Sequence, residues 1–212
     1  CQRPETDGIY VSDITPTSAT INIEDELNTA WSIFYKTESE TVYTEYPTTS
    51  TSTEFVDLLP NTTYEFYVVG DCGGTQSAPT TVISFATPCS YVTELPFVED
   101  FEGAWAESGL SNAAAPDCWI NINGGYSSTT YAWKQYTTAT NVYAGLASAQ
   151  SYGYTSATTS TYVNNDFLIT PVIDVEGGAR LSFWAKKGTT SYNGKIKIKY
   201  YDVTENGDIA SA

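Results

Sequence analysis

At 212 residues and 41% hydrophobic content, the chain has enough apolar material for two packed domains of about 100 residues each, and too much for a disordered polymer. Its formal charge of −16 and its lack of any His exclude whole classes of function. A surface this acidic repels phosphate backbones, so nucleic acid is not an expected partner. Without His there is no Ser-His-Asp or Cys-His nucleophile, no HExxH zinc site and no proton shuttle near neutral pH, and no enzyme is expected within these residues.

Thr, Ser, Tyr and Val dominate and strong helix formers are sparse, which favours pleated, half-buried surfaces and an all-β fold. In chain order, short alternating runs at residues 9–14, 19–23, 30–36, 42–46, 54–58, 64–71 and 81–86 predict strands. The alternation is clean in Trp31-Ser32-Ile33-Phe34-Tyr35 and again in Tyr64-Glu65-Phe66-Tyr67-Val68. Seven short strands with turn signals between them read as a β-sandwich. Phe85-Ala86-Thr87-Pro88-Cys89 closes this module and Pro96-Phe97-Val98-Glu99-Asp100-Phe101-Glu102 opens another. The expected domains are 1–88 and 89–212, with almost no linker. Residues 1–88 hold thirteen acidic groups against Arg3 and Lys36, a net of −11, and the remainder carries −5.

In the second module the readable strands are 97–101, 119–123, 132–136, 146–152, 167–175, 181–186 and 195–203. The last alternates Lys and Ile, predicting one packed face and one wet face. Trp119, Trp133 and Trp184 fall inside strand patterns and are expected in the core. Trp105, in the loop 103–116, is the tryptophan expected to be exposed for ligand contact. The polar loops at 124–130 and 152–162 are candidate binding rims. No run of about 20 apolar residues is present to span a membrane. The absence of any Met and of a leader segment reads the chain as a processed or excised piece.

The four cysteines are Cys1, Cys72, Cys89 and Cys118, with no CxxC spacing to suggest zinc. Four cysteines allow three pairings. If the first module is a seven-strand sandwich, its N-terminus and the loop after its sixth strand share a pole. That topology pairs Cys1 with Cys72 and leaves Cys89 for Cys118, which implies an oxidising compartment. Acylation of Cys1, as at the start of a mature bacterial lipoprotein, and free thiols are the alternatives.

The passage Leu58-Leu59-Pro60-Asn61-Thr62-Thr63-Tyr64-Glu65-Phe66-Tyr67-Val68 resembles the strand E to strand F region of fibronectin type III domains, and Ile14-Thr15-Pro16-Thr17-Ser18-Ala19-Thr20-Ile21 resembles their A–B passage. The resemblance covers nearly all of residues 5–88. It implies that Tyr64 is the corner tyrosine, its hydroxyl bonded to backbone upstream. Where the family usually places a Trp at the end of strand B this chain has Ile23, and Trp31 is expected to fill that volume.

Glu99-Asp100-Phe101-Glu102, Pro116-Asp117-Cys118-Trp119, Asn165-Asp166-Phe167-Leu168-Ile169-Thr170-Pro171 and Leu181-Ser182-Phe183-Trp184-Ala185 together resemble the MAM-like jelly rolls known as cleaved adhesin or choice-of-anchor J domains. That likeness implies a galactose-binding-like jelly-roll sandwich, here C-terminally truncated, on a secreted bacterial surface protein. It also implies a structural Ca²⁺ held by Glu102 and Asp166, with Glu99, Asp100 and Asp117 as lesser candidates. The expected function is non-catalytic cell adhesion or binding at the bacterial cell surface, with an extracellular protein or glycan as partner. The alternative is an accessory carbohydrate- or substrate-binding region of a secreted protease or glycoside hydrolase whose catalytic domain lies outside this chain.

Overall fold

The computed structural model describes residues 1–107, 111, 113–124, 132–151, 165–175, 177–186 and 196–203. It falls into two compact units, 1–90 and 91–212. Among the described residues, both contain β-strands, a short 3-10 turn each and irregular segments.

The first unit contains β1 (Ile9–Ser12), β2 (Ala19–Ile23), β3 (Trp31–Thr37), β4 (Thr44–Thr48), β5 (Ser52–Phe55), β6 (Thr63–Gly70) and β7 (Ile83–Ala86). They form a three-stranded sheet in the order β1-β2-β5 and a four-stranded sheet in the order β4-β3-β6-β7, all antiparallel. This is a fibronectin type III-like β-sandwich. The longest ladder runs from Trp31 opposite Gly70 to Thr37 opposite Tyr64. Its period of two sends Ile33, Phe66 and Val68 inward to meet Ile21 and Ile23 of the other sheet, and all five are fully buried. Burial of a side chain of this size is worth about 1.5–3 kcal/mol.

Several strand ends differ from the sequence pattern for local reasons. The fourth strand lies at 44–48 rather than 42–46, placing Pro47 in the ladder opposite Ser32. It is an edge strand, where a missing N–H is tolerated. The fifth begins at Ser52 and stops at Phe55, because Asp57 turns the chain at φ 57° and the Leu58 N–H leaves the ladder to donate to the Thr17 carbonyl.

Two side chains pin the sandwich. The Leu59 N–H donates to the Tyr64 hydroxyl at 2.8 Å, making Tyr64 a corner tyrosine five residues downstream of its backbone partner. Trp31 is 3% exposed and occupies the core volume that the resemblance left open at Ile23; its indole N–H donates to Asp25 at 2.9 Å. Burial by itself would raise the Asp25 carboxyl. Hydrogen bonds from the Asn28 and Trp31 side chains and from the Leu27 and Asn28 backbone outweigh it and hold the group below its ordinary value.

Cys1 is joined to Cys72, with Cα atoms 5.4 Å apart. Its sulfur, spent in that bond, cannot at the same time carry a thioether-linked lipid. A Cβ on Gly70 would come within 2.8 Å of the Asn28 side chain, so any larger residue at the end of β6 must displace an amide that is hydrogen-bonded to Asp25 and to the Gln2 carbonyl. Cys89 and Cys118 are also disulfide-bonded, and no cysteine is free.

The second unit contains β8 (Ile120–Asn123), β9 (Lys134–Tyr136), β10 (Ser148–Gln150) and β11 (Asp166–Ile169). They pair as two antiparallel ladders, β8 with β11 and β9 with β10. Val92 forms a parallel bridge to Ile173, and Ala106 an antiparallel bridge to Ala115.

The sequence expectations fare less well here, and the hydrogen bonds show why. Residues 97–101 are not a strand: the Glu99 and Asp100 carboxylates accept the backbone N–H groups of Phe101 and Glu102 at 2.6 and 3.0 Å, and Phe101 sits at φ 63°. The expected strand 167–175 stops at Ile169, before Pro171 removes a donor. Residues 181–186 form no strand, and Leu181, Phe183 and Trp184 are exposed. Trp184 is therefore not a core residue; at 74% exposure it stacks on Tyr143, centroids 4.1 Å apart, beside a Lys186 Nζ contact to the Thr140 carbonyl at 2.6 Å. Residues 196–203 likewise form no β-ladder among the described residues: Lys199 Nζ lies 5.5 Å from the Phe167 ring centroid, and Ile196 and Ile198 are exposed rather than on a packed face. Lys195 and the loops 125–130 and 152–162 lie outside the described residues. Among the described residues no helix is long and apolar enough to cross a membrane.

Candidate functional site

The richest local chemistry lies around residues 99–107 of the second unit. Phe101, turned by the carboxylates of Glu99 and Asp100, packs edge-on against Trp119 at 5.7 Å and tilted against Trp105 at 6.1 Å. Trp119 is buried and Trp105 half-buried. Immediately after, Glu102 Oε1 accepts the N–H groups of Leu146 and Ala147 at 2.6 and 2.9 Å. This clasp delays the start of β10, because those two amides are no longer free for a ladder. Gly145, at φ 74°, lies so close to Glu102 Oε1 that no Cβ would fit there.

Six hydrogen bonds then bring three separate segments together. Ala106 and Ala115 exchange both backbone hydrogen bonds at 2.9 Å. Asn121, fully buried, donates through Nδ2 to the carbonyls of Ala114 at 2.6 Å and Trp133 at 2.8 Å. The second bond takes up the Trp133 carbonyl just before β9 begins at Lys134. Gln135 Nε2 donates to the carbonyls of Phe101 and Gly103, both at 2.8 Å. Between them lies a cleft of about 330 Å³ lined by Trp105, Trp133, Ala113, Glu107, Lys134 and Gln135. Trp105 thus lines a cleft rather than standing free on a loop. Trp133, expected in the core, is half-buried and lines the same cleft. Nothing local in the sequence marks this partnership, since the two tryptophans lie 28 positions apart in sequence.

The carboxylates expected for calcium sit on different elements. Glu102 follows the 99–101 turn, Asp166 opens β11 opposite Asn123, and Asp117 is exposed just before Cys118. The Asp166 carbonyl accepts the Trp133 indole N–H at 3.4 Å. Glu99, Asp100 and Glu102 each already accept backbone N–H groups. Among the described residues no three His, Cys, Asp or Glu side chains gather where they could hold a metal ion. A calcium site built on Glu102 and Asp166 would draw its remaining donors from backbone carbonyls and water.

A second surface lies on the outer face of the four-stranded sheet in the first unit. Phe34 stacks on Tyr67 at 5.0 Å, and Tyr43 meets Tyr67 edge-on at 4.9 Å. Lys36 and Glu65, cross-strand neighbours, pair at 2.8 Å. Their mutual hydrogen bond raises the Lys36 ammonium and lowers the Glu65 carboxyl.

No protein-family model matches the chain, and no curated protein matches it. Solved structures do. A segment of two fibronectin type III domains from chicken tenascin is 23% identical, covering 41% of this chain and 50% of that one with a TM-score of 0.37. The FN5 domain of Drosophila Lar is 14% identical, covering 42% of this chain and 98% of that one with a TM-score of 0.36. A fibronectin type III domain derived from the human KIAA0970 protein is 14% identical, covering 47% of this chain and 83% of that one with a TM-score of 0.36. The sandwich itself is read from the strand order and register of the first unit.

Proposed function

We propose that the chain is a non-catalytic extracellular binding segment of the adhesion type, part of a larger bacterial cell-surface protein, with a fibronectin type III-like sandwich followed by a MAM-like cleaved-adhesin jelly roll. The observation that carries the extracellular reading is that all four cysteines are in disulfides on a β scaffold, a state favoured in oxidising compartments. The motif resemblance of residues 99–185 supports the jelly roll and the bacterial source. The test is adhesion of the labelled, oxidised protein to epithelial monolayers and to immobilised matrix proteins. Saturable binding, abolished by prior reduction, is expected; no saturable binding to any surface overturns the reading.

A second reading, an accessory region of a secreted hydrolase, is favoured by the tryptophan-lined cleft, which suits a carried substrate better than a protein face. A catalytic domain in the same reading frame would decide for it. Structural calcium at Glu102 and Asp166 is a further part of the proposal, and its test is thermal unfolding in excess EDTA against millimolar Ca²⁺. A calcium-dependent rise in Tm that is lost in Asp166→Asn supports the site. Equal Tm in both conditions removes it and leaves Glu102 as a loop clasp.

A further inference from the structure

We infer that the cleft between Trp105 and Trp133 is a binding subsite for a neutral oligosaccharide. This deepens the reading of the chain as an extracellular binding segment and rests on it. Three properties of the cleft select the ligand class. Two half-buried indoles line it, and flat aromatic rings match the C–H faces of a pyranose ring. Its edge supplies an acceptor from Glu107, donors from Lys134 and an amide from Gln135, the mixed set that hydroxyl groups use as both donors and acceptors. Its rim carries one charge of each sign, which gives an ionic ligand no net advantage, even though the chain as a whole is strongly acidic.

The volume, about 330 Å³, is within the range of small-ligand sites. The cleft is also preorganised. The Ala106–Ala115 exchange, the Asn121 amide and the Gln135 amide hold its three segments through backbone carbonyls and N–H groups, so little ordering entropy remains to be lost on binding. The Trp105 indole N–H is buried without an acceptor among the described residues. A small rotation of the ring would offer that donor to a ligand hydroxyl, recovering a hydrogen bond the free protein forgoes.

The experiment is titration of the oxidised chain with cellohexaose, xylohexaose, mannohexaose and laminarihexaose, followed by tryptophan fluorescence and calorimetry. At least one is expected to bind below about 10 mM, with an affinity that changes less than about twofold between low and high salt. Trp105→Ala and Trp133→Ala are each expected to weaken binding about tenfold or more. Because either could perturb folding, Glu107→Gln and Lys134→Ala, both at exposed positions, provide variants expected to weaken binding with unchanged Tm. No binding by any of the four sugars, or binding indifferent to all four substitutions, overturns the inference. Preferential binding of a decaproline peptide, which also docks on aromatic-lined grooves, overturns it as well. Saturable adhesion to cells by a chain that binds none of the four sugars would leave the adhesion reading standing while the subsite fell, so the two failures are distinguishable.

Discussion

Asp25 shows how one exposed-looking acid can hold a core in place. Its carboxylate gathers the Trp31 indole N–H, the Asn28 amide and the Leu27 backbone N–H at 2.6–2.9 Å. Asp25→Ala strands these donors next to a buried tryptophan and is expected to cost about 1–3 kcal/mol, read as a lower urea midpoint. Because the folded carboxyl is held below its ordinary value, its stabilisation is complete above the unfolded pKa and is lost as pH falls through the lower, folded one. The gap between wild type and variant is therefore expected to be full at neutral pH and to close in strong acid. Tyr64→Phe removes the acceptor of the Leu59 N–H and is expected to cost about 1 kcal/mol by the same measurement. Tyr64 was legible through the resemblance of residues 58–68 to fibronectin type III domains. Asp25 was not, since its worth depends on where Trp31 comes to lie.

Elements record the same contrast. In the first unit each strand pairs with a neighbour that buries its alternate side chains, so periodicity and packing agree and five of the seven expected runs overlap closely with β-strands, while the fifth, expected at 54–58, shares only Glu54 and Phe55 with β5. The fourth is displaced by two residues, onto an edge that accepts Pro47. In the second unit, side chains compete with the ladder for backbone groups: Glu99 and Asp100 turn residues expected to be extended, and Glu102 takes two amides ahead of β10. Glu102→Gln is expected to accelerate hydrogen exchange at the Leu146 and Ala147 amides selectively, leaving β8 and β11 amides unchanged. The bond between Cys1 and Cys72 closes a loop with a sequence separation of 71. On the chain-entropy argument it restricts the unfolded state by about 4 kcal/mol, so a Cys1→Ser, Cys72→Ser double variant is expected to unfold at markedly lower denaturant.

For the whole molecule, charge and modularity set the behaviour. The first unit has a complete core cluster of its own, from Ile9 to Val68, so a fragment of residues 1–90 is expected to unfold cooperatively by itself. Its acids outnumber its cations heavily, and self-repulsion opposes compaction. Raising NaCl to about 0.5 M is expected to raise the Tm of that fragment by screening it. Composition, period and turn residues by themselves determined an all-β chain and the sandwich of the first module, and the family resemblance of residues 58–68 added its corner tyrosine, because these depend on contacts within a strand or between strands of clean alternation. The tertiary structure alone decided that Trp133 and Trp105 line one cleft, that Trp184 lies exposed against Tyr143, and that Glu102 grips a distant loop. Each of those depends on where backbone N–H and C=O groups from remote segments find partners, and that competition leaves no periodic trace in the chain.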